Sequence, residues 1–107
     1  MTDWTPMSRD EVEGLLEEAV KQLHPAHRKR FEAMRVPLRT VAVSASPGGS
    51  VVVVAEHEGR IVYYSDVEDG WELVAPNVNG GIQERAANQF ELTQLMWALF
   101  GDPEQLT

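Results

Sequence analysis

Residues 63–73, "YYSDVEDGWEL", gather four carboxylates, Asp66, Glu68, Asp69 and Glu72, around a single turn, and Trp71 follows the glycine. Carboxylates so close in sequence hold a cation, run acid–base chemistry or face a basic partner. The cation reading fails on spacing. An EF-hand loop needs oxygen ligands at its first, third and fifth positions, glycine at the sixth and glutamate at the twelfth. Counting from Asp66, those last three positions fall on Gly70, Trp71 and Asn77. Acid–base work requires one carboxyl to be desolvated so that its pKa rises, whereas acids in a tight turn stay hydrated. A surface for a basic partner is left, with solubilising turn chemistry as its bland counterpart.

Other reactive side chains form no constellation. His24 and His27, in "HPAH", have a spacing that suits two zinc ligands on a helix, but Pro25 places them at a junction, and His57 is the only other histidine. Surface or capping roles are expected for them. The basic stretch "HRKRFEAMR" is expected to complement the chain's own acids, including Glu17 and Glu18, rather than phosphate. No nucleophile triad and no phosphate loop can be placed. For an enzyme the best candidates would be Glu84, Arg85 and His57, which share nothing but an imagined proximity. Trp97 is expected in the core or at its edge, and Trp4 at the entrance of the first helix. Trp71 fits either inward packing or an aromatic contact for a partner.

The elements that position these residues are legible. Over 8–23, Val12, Leu15, Leu16, Ala19, Val20 and Leu23 recur at helical spacing, and Ser8 with Glu11 forms a capping box. Gly14 weakens that helix and suggests a close contact. Pro25 opens a short helix over 25–35 with Phe31 and Met34 inward. Residues 38–75 carry four segments rich in β-branched and aromatic residues, divided by "PGGS", "EG" and "VEDG". These predict an antiparallel meander. A loop, "PNVNGGIQERAA", leads to a helix over 88–100, with Asn88 and Glu91 as its capping pair, Leu92, Leu95, Met96 and Leu99 as its stripe, and Gly101 as its end. The chain 1–107 therefore reads as one α+β domain, N-terminal helices, a four-stranded sheet and a C-terminal helix packed on it. In "VVVVA" and "IVYY" apolar side chains fall on both alternating sets. Either helices cover both sheet faces, or the uncovered face is a docking surface.

With 107 residues and no Cys, disulfides and thiolate metal sites are excluded, and a reducing cytoplasm is the expected location. The formal net charge of −8 is uneven: residues 24–39 hold one acid and five bases, residues 40–107 ten acids and two bases. Such a field repels nucleic acid and membrane phosphates and attracts basic proteins. No stretch is apolar for long enough to span a bilayer.

Two stretches together, "VVVVAEHEGRIVYYSDVEDGWEL" and "GGIQERAANQFELTQLMWALFG", carry a resemblance over about residues 38–101. The chain resembles small single-domain bacterial proteins that include the immunity proteins of polymorphic-toxin and contact-dependent growth-inhibition systems. The resemblance implies a non-enzymatic inhibitor that binds a cognate toxin, often a nuclease with a basic groove, in the producer's cytoplasm. No catalytic residue, metal or cofactor comes with it, and the expected state is a monomer or weak dimer. On this reading the partner surface is Glu56, Glu58, Tyr64, Asp66, Glu68, Asp69, Trp71 and Glu72. The alternative is an adaptor or secretion-chaperone-like module that binds a protein or peptide through its sheet face.

Overall fold

A computed structural model of the chain describes residues 7–45, 49–65, 69–84, 86 and 88–106. Two helices, α1 (Arg9–Lys21) and α2 (Pro25–Met34), precede the strands β1 (Arg35–Ala42), β2 (Ser50–His57), β3 (Arg60–Ser65) and β4 (Gly70–Val74). Helix α3 (Leu92–Phe100) and a 3-10 turn at Pro103–Gln105 follow. The sheet order is β1-β2-β3-β4, antiparallel throughout, so the α+β meander is as the sequence predicts. No described helix is long and apolar enough to cross a membrane.

Local chemistry accounts for the helix ends. The Ser8 side chain accepts from Glu11 N while Glu11 accepts from Ser8 N, closing the capping box of α1. At the start of α2 Pro25 holds the first turn, and His24 Nδ1 accepts from Ala26 N at 3.0 Å. The neutral ring's proton then lies on Nε2, which donates to Glu104 Oε1. Arg28 donates to the carbonyls of Val20, Lys21 and Leu23, satisfying the end of α1 rather than meeting the Glu17/Glu18 face. Glu17 is met, as the sequence suggests, by the last base of that stretch, Arg35, which also bonds Glu32 and so ties α1 to the α2–β1 junction. Burial opposes the Arg35 charge, but the hydrogen bonds and charges of Glu17 and Glu32 outweigh it and raise the guanidinium pKa.

The run "VVVVA" is buried at every position because the sheet has two covered faces and β2 bulges between them. Val53 pairs with Tyr63 and Ala55 with Val62, which leaves Val54 as the extra residue. Val52, Val54 and Ala55 join Leu16, Phe31, Leu95 and Met96 under the helices. Val51 and Val53 join Ile61, Tyr63, Val43 and Ile82 on the opposite face.

That second face is covered by neither of the expected solutions. No described helix lies there. The described residues of the segment 75–91 cross it as a strap. At β1, Ile82 N donates to Ala42 O and Ile82 O accepts from Ser44 N, a parallel bridge placed just beyond the strand's end. At β4, Trp71 N donates to Phe90 O in an antiparallel bridge. Between these points the sheet's cross-strand pair Tyr63–Glu72 holds the strap from below, as Tyr63 Oη accepts from Ala86 N at 2.8 Å. The bridge at Phe90 keeps the chain extended there, so α3 begins at Leu92, with Glu91 N donating to Gln94 Oε1. The expected start at 88 and the Asn88 cap are therefore corrected. Gly14, too, packs against nothing: a Cβ there would meet no atom within 4 Å.

Candidate functional site

The proposed acidic surface is not one surface. Glu56 and Glu58 lie at the β2–β3 end of the sheet; Tyr64, Asp69 and Trp71 lie at the β3–β4 end. The six residues of β3 separate the two ends by about 20 Å at a strand rise of ~3.3 Å per residue. Asp66 and Glu68 lie outside the described residues. Glu56 is ion-paired to Arg39 at 3.1 Å, and Glu58, at φ 50°, makes the hairpin turn.

Glu72 is the clearest correction. It is 0 % exposed, although it follows a turn full of acids. Strand alternation aims it, like its partner Tyr63, at the strap. Oε1 accepts from Asn88 N at 3.4 Å and from Asn88 Nδ2 at 3.1 Å, and Oε2 accepts from Gln89 N at 2.9 Å. Three N–H donors on one buried carboxylate make a structural anchor, with no face left for a partner. Trp71 is buried as well, at 5 % exposure, packed edge-to-face on Tyr64 with ring centroids 5.0 Å apart. Trp97, expected in the core or at its edge, is 52 % exposed.

The enzyme candidates are also dispersed. His57 packs on Phe100 below the helical layer, Glu84 is exposed on the strap, and Arg85 lies outside the described residues. His27 is buried against Trp97 and donates from Nε2 to Gly101 O at 2.8 Å. It fastens the end of α3 to α2. Among the described residues no group of three or more His, Asp or Glu is placed to hold a metal ion.

Three of the predicted residues do converge, on a groove of about 320 Å³ between α1 and the junction of β4 with α3. Tyr64, Trp71 and Phe90 line its floor, Leu15, Ala19 and Gln22 one wall, and Gln89, Glu91 and Thr93 the other. Asp69 stands at its mouth, where Tyr64 Oη donates to Asp69 Oδ1 at 3.4 Å. Among the described residues no Lys or Arg lines the groove. Two exposed carboxylates therefore stand over an aromatic and aliphatic floor, an arrangement suited to an apolar side chain with a cation beside it.

No known family, curated protein or solved structure matches the chain.

Leu15, Ala19, Phe90 and Glu91 were missed as site residues because their types suggest core and cap. One signal did exist. The apolar stripe of α1 is wider than the buried face that Val12, Leu16, Val20 and Leu23 fill, and Leu15 at its margin is left 38 % exposed.

Proposed function

We propose that the chain is a non-enzymatic binding protein that holds a basic protein partner and neutralises it in the cytoplasm, in the manner of the immunity proteins it resembles. The observation that carries this reading is the groove beside α1, apolar at its floor and lined by Asp69 and Glu91, with no base among the described residues that line it. The net charge of −8 steers a basic partner toward the molecule, and the groove supplies the short-range contact. A toxin with a cationic substrate groove, such as a nuclease, is the partner this chemistry fits. The sheet-face adaptor reading loses its surface to the strap, which leaves Val53 and Tyr63 0 % exposed and Ile82 2 % exposed.

The test starts with capture. The immobilised protein is loaded with lysate of the producing cell, washed through a salt ramp, and the retained basic protein is purified and assayed. Loss of that protein's activity at a 1:1 ratio supports neutralisation. Retention with undiminished activity at saturation would overturn it in favour of a passive binding role.

A further inference from the structure

The groove has an outer continuation and a blocked inner edge, and together these define what enters it. Leu15, Ala19 and Gln22 are spaced i, i+4, i+7 along α1, a line about 10 Å long. Across from them Thr93 lines the opposite wall, and Trp97, i+4 from it on α3, is exposed one turn further along, its ring centroid 6.0 Å from that of His27. Of the three large apolar side chains exposed among the described residues, Leu15 lines the groove and Trp97 stands one helical turn beyond Thr93. On α1 the exposed Glu11 and Glu18, the latter bonded to Lys21 at 3.2 Å, flank Leu15 at i−4 and i+3, and Asp69 and Glu91 line the groove as well.

Backbone accounting then selects the ligand's conformation. The outer edge of β4 is taken at Trp71, whose N–H donates to Phe90 O. A partner strand finds no ladder to extend there. A segment entering the valley contributes side chains only and must satisfy its own backbone hydrogen bonds, which a helix does.

Resting on the proposal that the chain binds a basic protein, we infer that this valley seats an amphipathic helix of that partner. Its apolar side chains, spaced i, i+4 and i+7, fill the space between Leu15, Phe90 and Trp97. Its Lys and Arg residues meet Glu11, Glu18, Asp69 and Glu91.

Three synthetic peptides serve as probes: a lysine-rich amphipathic helix with leucines at i, i+4 and i+7, the same composition scrambled, and the amphipathic design with every Lys replaced by Glu. Binding is followed at about 0.15 M salt, where long-range attraction is screened to ~8 Å, by amide and indole NMR shifts on the full chain. The amphipathic basic peptide is expected to shift Leu15, Ala19, Phe90, Thr93 and the Trp97 indole. The scrambled peptide should bind at least ten-fold more weakly, and the acidic one should give no shifts. Leu15→Gln, at an exposed position, should lower affinity by about ten-fold with an unchanged melting curve. Equal binding of the scrambled peptide, shifts confined to other surfaces, or an unaffected Leu15→Gln variant would each overturn the helix seat. Partner neutralisation is read separately. A captured partner inhibited at 1:1 without shifts in the valley leaves neutralisation standing and removes this site, whereas peptide binding in the valley without any neutralised partner does the reverse.

Discussion

Gly14 lies inside α1, exposed, where an added methyl group meets nothing within 4 Å. Its φ is not in the left-handed region, so the residue costs helix stability without serving a turn or a contact. Gly14→Ala should stabilise the protein by about 0.5–1 kcal/mol, read as a shifted urea midpoint at constant slope. Glu72 is the opposite case. A glutamine there keeps one acceptor oxygen and turns an N–H₂ toward backbone donors that the carboxylate now receives. Glu72→Gln should cost about 1–3 kcal/mol, the range for stranding a buried donor. Faster hydrogen exchange at Asn88 and Gln89 would locate the loss at the strap; a midpoint within error of the parent protein would show that the carboxylate anchors nothing.

At the scale of elements the strap is the unusual part, and two glycines set its approach to the sheet. A Cβ on Gly81 would lie 2.6 Å from Ala42 O, and one on Gly70 would lie 2.4 Å from Gln89 Cα. Both neighbours are backbone, which cannot rotate away. Gly81→Ala should therefore destabilise by about 1–3 kcal/mol and raise exchange at Ile82 and Ser44, whose amides close the bridge to β1. Unchanged exchange there would mean that the strap tolerates the displacement. The strap also marks the limit of what the sequence conveys. Helices and strands were legible because their apolar periods are strong and their caps and turns local. "PNVNGGIQERAANQ" has no period, and the bonds that seat it join distant residues, backbone to backbone at Ile82 and Phe90 and from strap N–H groups to the side chains of Tyr63 and Glu72, pairings that local residue types do not encode. The same gap hid the site. Glu72 reads as a turn acid until the strap is laid over its face, and Trp97 reads as core or core edge until α3 is seen to bury Leu92, Leu95 and Met96 instead.

For the whole molecule, the strap joins two apolar clusters that the sheet would otherwise keep apart. It leaves β4, packs Ile82 into the cluster opposite the helices, returns to β4 at Phe90 and only then enters α3. Helix α3 in turn supplies Leu92, Leu95 and Met96 to the other cluster. Loosening the strap should therefore loosen the start of α3, and the two faces should unfold as one unit. Ile82→Ala removes a fully buried side chain and should cost about 2–5 kcal/mol. The informative measurement is the coincidence of two probes in denaturant, tryptophan fluorescence in a background with Trp4 and Trp97 replaced by Phe, so that Trp71 under the helices is the reporter, and far-ultraviolet circular dichroism for secondary structure. Superimposed transitions, displaced together in the variant, are expected. If the variant instead lost one signal well before the other, the helical face would be stable without its strap. The Leu15–Phe90 groove, built from α1 on one side and the strap's end on the other, would then open and close independently of the fold.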